Sequence, residues 1–262
     1  MVKYLAIGPG AMGYFLFQGA VSNLAQSGRL ADLEEISGAS AGATLAFLYV
    51  LTKGDTAKML DSSLDAPVQQ AMKPNIKSLV KNYGLVPNTK VQKVLSNLCQ
   101  KLVGQKDLTF QELYTWYPIK LHVAAFCVER GSTAYFSVDT TPTMSVVQAV
   151  TASMCIPFMV ACMKIGEWTY IDGGAAERSP CGPFLGRGAD VLAIILEDGV
   201  PPHISDVKSY AFAMLYSTMR LRHQYHVPTH ALKDTGFNVF DFEMSRETKL
   251  RMFLSGFSRE IA

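Results

Sequence analysis

Two short glycine-rich turns in this chain could hold a negative charge. The first, Gly8-Pro9-Gly10-Ala11-Met12-Gly13, matches G-x-G-x-x-G and follows the apolar run Tyr4-Leu5-Ala6-Ile7. Glycines at that spacing let backbone N–H groups at a helix start approach an anion, as in folds that hold a dinucleotide pyrophosphate. The second, Gly38-Ala39-Ser40-Ala41-Gly42, is G-x-S-x-G. There a serine occupies a sharp strand-to-helix turn, and glycines two positions to either side let the turn close while Oγ stays exposed. A helix beginning near Ala41 would aim its positive end at a developing oxyanion.

The two turns suggest different chemistries. A dinucleotide site needs an acid at the end of the second strand, about 20 residues on, to hold the ribose. Asp32, Glu34 and Glu35 stand at the start of that strand instead, and its end runs into Gly38–Gly42. A nicotinamide-dependent oxidoreductase using Gly8–Gly13 is therefore the weaker alternative. Beside a serine elbow the first loop gains another role, because acyl transfer needs backbone donors aimed at the tetrahedral oxygen. Pro9 has no N–H. The donors are accordingly expected to be Gly10 and Ala11 of the loop, with Ala41 beyond the nucleophile.

A serine nucleophile needs a base. Of the five histidines, His122 opens a strand and reads as structural. His203 has no motif around it. His223, His226 and His230 crowd near Pro228 without the cysteine or acid that a metal site would add, and they read as solvated surface. Asp172, in Tyr170-Ile171-Asp172-Gly173-Gly174, is a carboxylate at a strand end, and the two glycines allow it close to a neighbouring turn. A carboxylate there can accept the Oγ proton directly. An Asp-Gly pair is also an ordinary turn between strands, so this motif alone leaves both readings open.

The positioning elements follow from hydrophobic pattern and turn residues. Val2–Ile7 reads as a buried strand, Gly13–Ala25 as a helix, Glu35–Ser37 as a second strand and Ala43–Leu51 as a second helix. Two successive strand–glycine turn–helix units argue for a layered α/β fold. Residues 53–118 read as helical, with breaks at Pro67, Pro74, Gly84–Pro87 and Gly104. Hairpins are expected over Leu121–Val138 and Val160–Ile171, with a helix Thr143–Met154 between them. A buried strand Val191–Leu196, a long helix Ser205–Arg222, a strand Asn238–Phe242 and a helix Ser245–Ser255 capped by Ser245 complete the expectation. No repeat or linker interrupts the 262 residues, so a single domain over 1–262 is expected.

The ordered set Gly8-x-Gly10-x-x-Gly13, Gly38-Ala39-Ser40-Ala41-Gly42 and Asp172-Gly173-Gly174 resembles the patatin-like phospholipases and lipid acyl hydrolases. Leu108–Tyr114, Ala149–Val160 and Phe240–Phe257 carry the likeness over nearly the whole chain. The resemblance implies a three-layer α/β fold, its central, mostly parallel sheet flanked by helices, with the elbow after the second strand. It implies a Ser40–Asp172 dyad, an oxyanion hole in the loop Gly8–Gly13, and lipid esters as substrates of a phospholipase A or esterase type. Pro9 and Met12 replace the glycine and basic residue common in the first loop, which is closer to the adiponutrin-like form. Arg178 and Ser179 stand where asparagines are usual after the Asp motif. A non-catalytic lipid-binding module on the same fold is the second alternative.

Composition narrows the setting. With 49% hydrophobic and 18% charged residues the chain can build a core, and a net charge of +2 gives no global bias toward nucleic acid. Five cysteines without a C-x-x-C pair, and no basic-then-apolar leader, point to a reduced cytoplasmic setting. No apolar run reaches the roughly 20 residues of a membrane span. No metal or cofactor is expected. Between Lys73 and Lys106 there are seven lysines and no acid. Lys73, Lys77 and Lys81 recur at helical spacing, and Val91, Val94, Leu95, Leu98 and Leu102 form an apolar stripe. Two readings compete for this segment. One is a solvated helical face; the other is a peripheral contact with anionic membrane through Lys77, Lys81, Lys90 and Lys93.

Overall fold

A computed structural model describes residues 1–197, 225–233 and 236–259, with 203–205, 209–210, 213–214, 217 and 223 between them. The chain opens with β1 (Tyr4–Ile7), a 3-10 turn (Ala11–Gly13) and α1 (Tyr14–Gln26), then β2 (Glu35–Ala39) and α2 (Ala41–Leu51). Every residue of β1 and β2 is buried, as expected of parallel strands covered on both faces. A helical stretch follows: α3 (Thr56–Leu64), α4 (Val68–Ala71), α5 (Ile76–Asn82), α6 (Asn88–Val103) and α7 (Phe110–Trp116). Asp55 and Asn75 cap α3 and α5, and a Thr109–Glu112 capping box starts α7. A short strand β3 (Gly84–Val86) interrupts the series.

β4 (Lys120–Cys127) and β5 (Ser132–Phe136) form the first hairpin. α8 (Val146–Ser153) starts at the N-cap Ser145 and leads to β6 (Phe158–Val160). The second hairpin is β7 (Met163–Ile165) with β8 (Trp168–Asp172). The chain then adds β9 (Val191–Leu196), β10 (Thr229–Leu232) and α9 (Arg246–Phe257), whose N-cap is Ser245. The main sheet runs β10-β9-β1-β2-β4-β8-β7, parallel from β10 to β4 and antiparallel beyond. β3 and β6 pair separately.

Strand alternation sorts two cores. Leu5, Ile7, Leu192 and Ile194 enter the larger one with α1, α2 and α8. Tyr4, Ala6, Val191 and Ala193 face a smaller one closed by Cys181 and Phe184. The result is an α/β fold whose mostly parallel central sheet is flanked by helices, as expected. α1 and α9 cross closely because each presents a glycine to the other's backbone. A methyl on Gly19 would meet the Phe253 carbonyl, and one on Gly256 the Leu16 carbonyl.

Several expectations need correction. Residues 84–86 are a strand where only a helix break is expected, and 229–232 are a strand where solvated loop is expected. Residues 238–242 form turns without a strand, and the Val239 carbonyl instead accepts the Met12 N–H at 2.8 Å. α5 starts after Asn75, so Lys73 lies outside the helix that carries Lys77 and Lys81. Most of the helix expected over 205–222 lies outside the described residues.

Candidate active site

Strand register brings the glycine turns together. β1 and β2 are adjacent and parallel, with Ile7 opposite Gly38, so the loop from Gly8 and the elbow at Ser40 leave the same edge of the sheet side by side. Their contact is close: a methyl on Gly42 would collide with the carbonyls of Ile7 and Gly8, and one on Gly38 with the first turn of α2. Only glycine permits that approach.

Asp172 arrives from the opposite direction. β4 pairs with β5 through residues 123–127 on one edge, which leaves the other edge for both β2 and β8. β2 runs up that edge until Ala39 stands opposite Ala124; β8 runs down it until Asp172 stands opposite Ala125. The two strands therefore end head to head at consecutive residues of β4, one delivering Ser40 and the other Asp172. Gly173 lies against the Ala124 carbonyl, and Gly174 against Pro9, where a methyl would stand 2.5 Å from Cβ and 2.6 Å from Cγ. The third motif is thus packed onto the first.

Ser40 has φ 55° and ψ −118°, a left-handed backbone costing a non-glycine residue on the order of 1–3 kcal/mol. A hydrogen-bond chain holds the turn. The Ser40 N–H donates to Ser153 Oγ at 2.8 Å, and Ser153 Oγ donates to the Ala124 carbonyl at 2.6 Å. The elbow, α8 and β4 meet at that hydroxyl. Asp172 is fixed too: its N–H donates to the Cys155 carbonyl at 3.0 Å, and its Oδ1 accepts the Gly174 N–H at 2.8 Å. Ser40 and Asp172 are both buried. Burial, and then the Asp172 charge, push the neighbouring Cys155 thiol above its ordinary range, so Cys155 is unreactive.

The first loop supplies donors, with one change from expectation. The Gly8 N–H donates to the Ile194 carbonyl of β9 at 2.9 Å, so Gly8 is tied into the sheet and is not a donor to substrate. Ala11 has φ 45°, which turns the loop after Gly10. Among the described residues the N–H groups of Gly10 and Ala11 meet no acceptor. The Ala41 N–H begins α2, where the first donors have no partner within the helix. Gly13 closes the loop against the Leu196 side chain and gives its N–H to Gly10.

Ser40, Ala11 and Ala41 open onto an apolar cavity of about 120 Å³. Its walls come from α4, from the Val91-Val94-Leu95-Leu98 stripe of α6, from Met154, Ile156 and Val160, and from Phe242. The Ser63 hydroxyl in this wall is fully engaged. Ser63 donates to the Met59 carbonyl at 2.7 Å, which leaves its oxygen to accept from Tyr14 (2.7 Å) and Gln18 (3.2 Å). A cavity that is apolar beyond the Ser40 hydroxyl suits an acyl chain and gives a charged ligand nothing to bind.

No histidine lines this cavity. His122 Nε2 lies 2.7 Å from Glu35 Oε2, both buried on the sheet face of Tyr4. Glu35, the acid a ribose would need, stands five positions before the elbow and is already engaged. His223 and His226 are exposed as expected, whereas His230 is half-buried in β10. Among the described residues no group of three or more His, Cys, Asp or Glu could hold a metal ion. Also among them, no helix is long and apolar enough to cross a membrane.

Comparisons with known proteins bear on the family and the fold. The family model described as patatin-like phospholipase matches residues 5–185. Among curated protein sequences none matches the chain. VipD from Legionella pneumophila superposes with a TM-score of 0.54 at 16% identity, over 98% of this chain and 65% of that one. The type III effector ExoU of Pseudomonas aeruginosa gives 0.50 at 16% identity, over 98% of this chain and 51% of ExoU. The chain spans less than two thirds of either protein, and the likeness to them is one of fold.

Proposed function

This chain belongs to the patatin-like phospholipase family, and from that premise we propose that it cleaves carboxylic esters of lipids through an acyl-Ser40 intermediate, with Asp172 as the base. The observation that carries the reading is the head-to-head ending of β2 and β8 on β4, which brings a strained serine and a buried carboxylate to adjoining positions. In the first half-reaction Ser40 Oγ attacks the ester carbonyl while its proton passes to the Asp172 carboxylate. The oxyanion forms facing the N–H groups of Gly10, Ala11 and Ala41 and the positive end of α2. Collapse expels the alcohol, which leaves with the proton held by Asp172. In the second half-reaction Asp172 takes a proton from water, hydroxide attacks the acyl ester, and Ser40 recovers its hydrogen as the carboxylic acid departs. The acyl chain occupies the apolar cavity throughout.

A fluorophosphonate probe should label the wild type and leave Ser40→Ala unlabelled. Hydrolysis by Ser40→Ala or Asp172→Asn should fall by several orders of magnitude, on the order of 10⁶ by comparison with other serine nucleophiles. Alanine at the exposed His223 or His226 should leave turnover in place. A lipid panel with identified products would name the head group and acyl position. Near-normal turnover by a folded Ser40→Ala protein would remove the nucleophile from the mechanism.

A further inference from the structure

α5 is built the wrong way round for a helix of a water-facing protein. Ile76, Val80 and Tyr83 recur at i, i+4 and i+7 on one face, and they are 75%, 77% and 73% exposed, while the small polar Ser78 is buried. Phe158 extends the same surface. It is 63% exposed and pairs with Gly84, the residue after Tyr83. Scattered apolar residues on a surface need no explanation, but a contiguous set of four does.

The backbone sharpens the point. Among the described residues five non-glycine residues have positive φ; two of them, Ala11 and Ser40, build the proposed active site, and two more are Tyr83 (62°) and Phe158 (64°). Glycine would suit both positions without strain, and Tyr83 is the C-cap of α5, where glycine is the favoured residue. Two largely exposed aromatic rings therefore stand at backbone positions that glycine would occupy without strain. Strand alternation would place Phe158 on the side of buried Val160, and the left-handed turn puts it outside instead.

Around these side chains the charge has one sign. Lys77 and Lys81 flank the apolar face on α5, and Lys90 Nζ donates to the Lys73 carbonyl at 3.3 Å, which sets those two residues together at its edge. Among the described residues Lys73, Lys77, Lys81, Lys90 and Lys93 make no ion pair, whereas Lys101 further along α6 is paired with Asp65. The surface also borders the cavity. Met72, Ile156 and Val160 line it, each within two residues of Lys73 or Phe158.

We propose that Ile76, Val80, Tyr83 and Phe158, ringed by Lys73, Lys77, Lys81 and Lys90, form the surface that docks this protein on an anionic bilayer beside the mouth of its acyl cavity. Apolar side chains enter the acyl boundary, and the lysines meet the lipid head groups. As the route by which substrate reaches Ser40, this surface rests on the hydrolase reading; as a membrane contact it does not need it.

Sedimentation with phosphatidylserine–phosphatidylcholine vesicles and with pure phosphatidylcholine vesicles, at low and moderate salt, tests the surface. The wild type should bind the anionic vesicles more tightly, and salt should weaken that binding. Tyr83→Gly and Phe158→Gly should each reduce the partition by about tenfold, with a thermal midpoint equal to or above that of the wild type. Changing Lys73, Lys77, Lys81 and Lys90 to Gln should reduce it by about fivefold per lysine removed. Turnover of a soluble short-chain ester should be unchanged in all these variants. Equal vesicle binding by wild type and variants would overturn the proposal. So would a wild type that ignores vesicles and dimerises through this face, becoming monomeric in the glycine variants. Vesicle binding without ester turnover by the wild type would count against the hydrolase reading and leave the docking surface standing.

Discussion

His122 shows how a buried residue beside the sheet can govern pH behaviour without taking part in chemistry. Loss of water pushes its pKa below the ordinary 6.5, while Glu35 pulls the other way with a smaller effect. The 2.7 Å contact then serves a neutral ring that donates Nε2–H to a carboxylate whose charge Arg187, 3.5 Å away, helps to offset. An unfolded chain takes up a proton near pH 6.5 that the folded chain refuses until lower pH. Stability from this group is therefore complete above 6.5 and declines as pH falls through the folded value. Thermal midpoints measured from pH 8 to pH 5 should show that decline, and His122→Gln, which keeps a donor for Glu35, should flatten it. A midpoint that rises on acidification would mean that the ring is charged in the folded state. The proposed catalytic residues are another case of environment over identity. Ser40 was legible because a glycine-flanked serine turn is a local pattern. Its partner Ser153 was not, because that role exists only through a hydrogen bond across 113 positions. Gly8 misled for a similar reason, since its N–H is claimed by a strand that begins at Val191.

Elements were readable where their signals are local. β1, β2, α2 and the β4–β5 hairpin are bounded by glycines or turn residues, and α9 by the cap Ser245, so sequence alone places them. β3, β6 and β10 have three or four residues each and take their stability from distant partners, which no local pattern announces. The interlocking of the glycine motifs was equally hidden, and it has a testable consequence. Alanine at Gly174 should drive its methyl into the Pro9 ring, with strain of about 1–3 kcal/mol and a tenfold to hundredfold loss of kcat/KM on a soluble ester. Pro9→Gly removes the obstructing ring. The double variant should recover part of the activity lost by Gly174→Ala, and losses that multiply independently would show that the two loops are not coupled.

The whole molecule closes around its first loop. Residues past the family match at 185 supply the Val239 carbonyl that holds Met12, the Phe242 ring in the cavity wall, and α9 against α1. Gly256→Ala should lower stability by at least about 1–3 kcal/mol, because its methyl has only the Leu16 backbone to displace. Since α1 continues from the oxyanion loop, ester turnover at a temperature where the variant stays folded should fall as well. Full turnover there would make α9 a scaffold alone. The Met12–Val239 tie also sets an order in time. During synthesis the glycine loop and Ser40 leave the ribosome well before β9 and Val239, which hold that loop. A nascent chain thus carries the Ser40 turn before the ties that fix the neighbouring loop. The proposed hydrolase would therefore stay inactive until Val239 has been made.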